Sequence, residues 1–169
     1  GEMLMKEIKS TYSPSMDIQV SSNFERQLFE SLNYDENKLQ IIMKSFNDTG
    51  KYHLDKKVVK DLQSIYTSYT VSDSEILETI KYYYDNYKYI SDPHTATGLN
   101  ILKKIENPIN SHVSLACAHP AKFSLAVKNS INKEPDFPDS IKNIFEKEEK
   151  FTILDNNIND IKEFILNKI

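Results

Sequence analysis

Cys117 and His119 stand two residues apart, just ahead of Pro120, and are the side chains best placed for chemistry. Cys117 reads either as a small buried apolar residue, the usual state of a free cysteine, or as a nucleophile. A nucleophile needs a nearby base, and His119 is the candidate, although no third partner is evident. His119 is either a turn-stabilising cap or a wall of an active site. A second group, Asp17, Ser22, Asn23 and Arg26, gathers at the entrance of a helix. Ser22 and Glu25 have capping-box spacing. That leaves Asn23 and Arg26 to face a ligand, and a helix N-terminus favours anions. His94 stands at the start of another helix and can face a cleft or solvent. The histidines His53, His94, His112 and His119 lack ligand spacing with acids or cysteine, so no metal site is expected.

These residues need elements to position them. Residues 112–118 form an uncharged, mostly apolar run without alternation, which predicts a strand covered on both faces. Pro120 suits the first position of a helix, and Phe123, Val127 and Ile131 fall on one face of it. The unit reads as buried strand, turn and helix. In open α/β sheets ligands bind beyond the carboxyl ends of the strands, where Cys117 and His119 lie.

Upstream, residues 3–13 are ambiguous and extended at most. Ser13-Pro14-Ser15 breaks any helix, Ile18 and Val20 suit a short extended piece, and Phe24, Leu28, Phe29 and Leu32 mark a helix face. Leu39, Ile42, Met43 and Phe46 mark a helix ending near Gly50. Val58, Leu62, Ile65 and Tyr69 mark another. Ser72 and Glu75 predict a capping box for a helix carrying Ile76, Ile80, Tyr83, Tyr84 and Tyr87. The run Tyr82-Tyr83-Tyr84 reads as two core tyrosines and a half-exposed one. Asp92 caps a helix whose first residue is Pro93, and Asn107-Pro108 ends it. Pro135 and Pro138 bound a linker. Residues 140–150 predict a charged helix with Ile141, Ile144 and Phe145 inward. Residues 151–154 suggest an edge strand, and Ile158, Ile161 and Ile165 a last helix.

The chain has 169 residues, one cysteine and a net charge of −4. That length suffices for one domain. The charge gives no basic field for nucleic acid. No apolar stretch reaches membrane-spanning length, and a lone cysteine suits a cytoplasmic compartment. The chain has three glycines, against about twelve at average usage, so no glycine-rich loop is present to cradle a phosphate. Few strands accompany many helices, and the first residue is not methionine. The expectation is a C-terminal piece of a larger α/β protein.

Ser13-Pro14-Ser15-Met16-Asp17-Ile18-Gln19-Val20-Ser21-Ser22-Asn23-Phe24-Glu25-Arg26 resembles a long signature of the bacterial and fungal threonine synthases. Asp92-Pro93-His94-Thr95-Ala96 resembles a second block of that family, and Leu115-Ala116-Cys117-Ala118-His119-Pro120-Ala121-Lys122-Phe123 a third. The blocks 14–26, 92–96 and 115–123 keep the family's order, and the resemblance spans nearly all of residues 1–169.

The resemblance implies an α/β fold, here the mostly helical C-terminal piece of a fold-type-II pyridoxal-phosphate enzyme. Two or three short strands and a helical insertion at 35–90 belong to it. The implied parent is a lyase that converts O-phospho-L-homoserine and water to L-threonine and phosphate, with pyridoxal 5'-phosphate as cofactor. It also implies a third reading of Cys117. Most family members carry threonine at this position, where the hydroxyl meets the pyridine nitrogen, and a thiol can still donate weakly. His119 becomes the second cofactor-binding candidate, and Asn23, Arg26 and His94 the substrate-binding candidates. The Schiff-base lysine and the phosphate cup are expected upstream, in an N-terminal half that would be this piece's partner. Lys122 has no sign of that role, so no catalytic residue is assigned here and the piece alone is expected to be inactive. The alternative is a non-catalytic helical interaction module derived from such an enzyme.

Overall fold

The computed structural model describes residues 1–105 and 111–168. The described residues are mostly helical, with a two-stranded antiparallel sheet. The expected helix end at Asn107-Pro108 lies outside them. They divide into two units, Gly1–Asp136 and Phe137–Ile169, and Pro135 and Pro138 flank that boundary.

In the first unit, β1 (Glu2–Leu4) pairs with β2 (Lys51–His53), with Met3 opposite Tyr52. Helix α1 (Ser22–Ser31) is capped by Ser21, whose Oγ accepts from the Phe24 amide. The cap is therefore one residue earlier than the Ser22–Glu25 spacing predicts, and Ser22 is the first helical residue. Helix α2 (Glu36–Thr49) stops at Gly50, which takes φ +69°, a left-handed value that a side chain would strain. That stop turns the chain directly into β2. Helix α3 (Lys56–Ile65) follows. Leu28 of α1, Phe46 of α2 and Tyr52 of β2 are buried together, with Leu39, Ile42, Leu54 and Leu62 packed around them.

Helix α4 (Asp73–Tyr87) starts on the expected capping box: Ser72 Oγ accepts from the Glu75 amide while the Glu75 carboxylate accepts from the Ser72 amide at 2.7 Å. Helix α5 (Pro93–Lys104) starts at Asp92, as expected. Ile76 and Ile80 of α4 pack against Ala96 of α5 in a second buried cluster, with Val71 and Ile131 at its edge. Tyr83 and Tyr84 are half-buried and Tyr82 is exposed, so none of the three is a core residue.

Residues 112–118 form no strand. No strand runs beside them among the described residues, and the amides of Cys117 and Ala118 are taken by side chains of the α5 start. The segment is extended, with Val113 and Leu115 85% and 78% exposed. An uncharged apolar run shows that a segment can be covered, but a ladder partner is needed to make it a strand. The helix expected from Pro120 begins as a 3-10 turn (Pro120–Phe123) and becomes α6 (Ser124–Ile131). Val127 of α6 is fully buried.

The second unit departs further from expectation. Residues 140–150 form two 3-10 turns, Asp139–Ile141 and Ile144–Glu146, in place of a helix. Isolated helices of this length are marginal without a packed face, and Phe145 is exposed apart from an edge contact with Phe137. Residues 151–154 have no ladder partner among the described residues and are not a strand. Helix α7 (Ile158–Leu166) is present.

Candidate functional site

Asp92 is the centre of the polar core. Its side chain is fully buried. Oδ1 accepts from the His94 amide at 2.9 Å, faces His94 Nδ1 at 3.0 Å and accepts weakly from the Thr95 amide at 3.4 Å. Oδ2 accepts from the Thr95 hydroxyl and, at 3.2 Å, from the Ala118 amide. Burial opposes the charge on this carboxylate. The Thr95 hydroxyl, the Ala118 and His94 amides and the His94 ring outweigh it, so Asp92 lies below the ordinary aspartate range. The first helical turn leaves amide donors without intrahelical partners, so the cap already aims donors at this oxygen.

The network reaches both other signature blocks. Ser15 donates its amide proton to His94 Nε2 at 3.2 Å. Both His94 bonds are satisfied by one neutral tautomer, with the proton on Nδ1. The His94 ring also packs on Phe123, with centroids 4.6 Å apart. Thr95 Oγ1 gives its proton to Asp92 and accepts from the Cys117 amide at 2.8 Å. Blocks 14–26, 92–96 and 115–123, distant in sequence, therefore share one set of hydrogen bonds.

Cys117 is exposed, and its thiol faces the Leu115 carbonyl at 3.6 Å. His119 is exposed, and its Nδ1 accepts from the Ala121 amide at 3.2 Å. The capping contact considered for it is thus made, and Nε2 is left for another partner. His94 is almost fully buried with both nitrogens engaged. Asn23 and Arg26 are exposed on α1. Asn23 lines a cavity of about 720 Å³ with Phe24, Gln27, Leu54, Val59 and Tyr66. Arg26 lines a different one, of about 390 Å³, with Phe29, Glu36 and Leu39. His94 and the Cys117 backbone are thus joined through the α5 start, His119 caps the turn that follows, and Asn23 and Arg26 lie in separate cavities along α1. Asp17 is turned away from that helix entrance and accepts from the Thr11 amide and hydroxyl at 2.7 and 2.8 Å.

Thr95 was not among the candidates read from sequence. A threonine three residues after an aspartate cap reads as part of the cap, and nothing local shows that its other bond goes to residue 117. Among the described residues no group of three His, Cys, Asp or Glu could hold a metal ion, and no helix is long and apolar enough to cross a membrane.

Residues 95–165 match the family described as "Threonine synthase, C-terminal". Over 155 residues the chain is 34% identical to threonine synthase of Pseudomonas aeruginosa, covering 90% of this chain and 33% of that protein. It is 38% identical over 142 residues to threonine synthase of Saccharomyces cerevisiae, covering 74% of this chain and 28% of that protein. The crystal structure of PLP-bound threonine synthase from Brucella melitensis superposes with a TM-score of 0.82 at 32% identity, over 99% of this chain and 36% of that one. The chain thus spans about a third of the length of the curated relatives that it matches.

Proposed function

The chain belongs to the threonine synthase family, and from that premise we propose that it supplies the C-terminal part of a lyase converting O-phospho-L-homoserine and water to L-threonine and phosphate. The observation that carries this is the convergence of the three signature blocks on the Asp92 network. A chain that kept the family's helices only as an interaction surface would have no need of a fully buried carboxylate linking those blocks.

Pyridoxal phosphate, when bound, supplies an electron sink for charge developing on substrate carbon. The residues of this chain fit one edge of that group. The Cys117 thiol is exposed and can donate a weak hydrogen bond to the pyridine nitrogen. A neutral donor leaves that nitrogen unprotonated. His119 keeps Nε2 available beside it. The phosphate cup and the covalently attached lysine are assigned to the remaining two thirds of the relatives' length, because three glycines cannot build the cup.

Arg26 is the residue suited to the phosphate of the substrate, since its guanidinium can bind a phosphate with two parallel bonds. Asn23 would orient the rest of the molecule. His94 takes a place in the site wall with its ring fixed by Asp92 and Ser15. Residues 35–90, carrying α2, β2, α3 and α4, are assigned to the helical insertion. The exposed row Val113, Leu115 and Cys117 is the edge against which the N-terminal half would pack.

The test is phosphate release from O-phospho-L-homoserine by the complete protein, with threonine formed in equal amount. Phosphate and threonine together support the lyase. Binding of the two parts to each other without either product supports the non-catalytic module instead.

A further inference from the structure

We propose that Thr95, oriented by Asp92, is a positioning residue that sets the place of Cys117 by holding its backbone amide. The juxtaposition is direct. Thr95 Oγ1 lies 2.8 Å from the Cys117 nitrogen, and Asp92 Oδ2 lies 3.2 Å from the next amide, that of Ala118. A hydroxyl has one proton. Here that proton goes to the carboxylate, which turns the oxygen lone pairs toward Cys117. A neutral side chain at residue 92 would weaken this orientation.

The rest of the segment has little to hold it. Val113 and Leu115 are exposed, and among the described residues no strand runs beside residues 112–118. Ser114 packs against α5 but its buried hydroxyl has no hydrogen-bond partner among the described residues. The next anchor downstream is the His119 cap on the Ala121 amide. The two bonds to Cys117 and Ala118 therefore decide where the thiol sits. If Asp92 only capped α5 it would serve the His94 and Thr95 amides and would need no bond across 26 residues to the Ala118 amide, nor Thr95 one across 22 residues to Cys117.

The consequence for catalysis rests on Cys117 facing the cofactor, whereas the positioning itself does not. The closing experiment separates the two. Amide hydrogen exchange is measured by NMR on the 169-residue chain, as wild type, Thr95→Val and Thr95→Ser. Valine keeps the shape and removes the acceptor, so exchange at Cys117 rises about tenfold, while the Ile80 amide in α4 is unchanged. Serine keeps the hydroxyl, so exchange at Cys117 stays within about twofold of wild type.

Cys117 exchange unaltered in the valine variant overturns the proposal. So does a rise in the serine variant as large as that in valine. If the valine variant unfolds, the serine variant decides alone: retained protection at Cys117 supports the proposal and lost protection overturns it. The absorption band of bound pyridoxal phosphate is then compared in the complete protein. A band displaced in Thr95→Val and restored in Thr95→Ser extends the positioning to the cofactor. An unmoved band, with exchange altered as expected, leaves the positioning intact and removes Cys117 from the cofactor contact.

Discussion

Asp92 accepts from three backbone amides, one hydroxyl and one imidazole while fully buried. Its carboxyl is depressed relative to the ordinary aspartate value of about 3.9. A depressed folded value contributes stability that is complete above about pH 3.9 and is lost as pH falls through the folded value. The urea midpoint of the wild type should therefore drop more between about pH 5 and about pH 3 than that of Asp92→Asn. Equal drops would mean that Asp92 is not the acid-sensitive carboxylate.

Cys117 gives the second prediction at this scale. On the proposed function, Cys117→Thr in the complete protein should hold or raise pyridoxal-phosphate affinity, since a hydroxyl is the stronger donor. Cys117→Ala should weaken it by up to about tenfold. Near-complete loss of turnover in the threonine variant would instead identify a nucleophile. The helix start at His119 and Pro120 could be read from the sequence, because a proline suits the first position of a helix. The hub at Asp92 and Thr95 could not, because its partners lie 22 and 26 residues away. Local spacing reveals a cap but not a tertiary bond.

Among the elements, helices with strong local signals match the sequence closely. Ser72 with Glu75, Asp92 with Pro93, and Gly50 each end or start a helix by chemistry contained within a few residues. Where an element depends on a distant partner, the same reading fails. Residues 112–118 have the composition of a buried strand and no ladder. Residues 140–150 have helical spacing and little packing.

Gly98 shows how α5 and the 112–118 segment constrain each other. An added Cβ there would lie 2.8 Å from Ser114 Oγ, closer than contact allows. Alanine would favour the helix by about 1 kcal/mol over glycine, but the clash forces Ser114 and its segment outward. Gly98→Ala should therefore lower the melting temperature. Adding Ser114→Ala removes the clashing atom, whose hydroxyl has no partner to lose. The double variant should then exceed Ser114→Ala alone by about the helix gain of 1 kcal/mol. Additive effects in this cycle would show that Gly98 is not required by the approach of Ser114. On α4, Ser72→Ala breaks the capping box and should cost about 1 kcal/mol in a urea titration. The partner carboxylate Glu75 is held at about 2, chiefly by Lys104, which reaches it from α5 at 2.8 Å, and by Ser72. Its NMR titration should move toward the ordinary glutamate range in Lys104→Ala.

The whole molecule exposes 13368 Å² of surface. A compact monomer of 19.6 kDa would expose about 8,600 Å², and the two units taken as separate bodies about 9,900 Å² in total. The excess is therefore not a matter of how the units are arranged. Apolar side chains are left without cover, as at Val113 and Leu115, in a chain that spans about a third of its relatives' length. The last prediction follows from that shortage. On the proposed function the 169-residue chain supplies only an edge for the cofactor, at Cys117, and its three glycines supply no phosphate cup. Incubated with pyridoxal phosphate and O-phospho-L-homoserine, it should release no phosphate. After borohydride reduction, peptide mapping should find label scattered at low yield over exposed lysines, because no pocket selects one. Stoichiometric label on a single lysine, or phosphate release, would show that the site is complete within these residues. Adding in trans the N-terminal part that the proposed function assigns to the complete protein should slow amide exchange across residues 113–117, the row on which its cover is proposed to fall. Unchanged exchange there would mean that this row is not the contact surface.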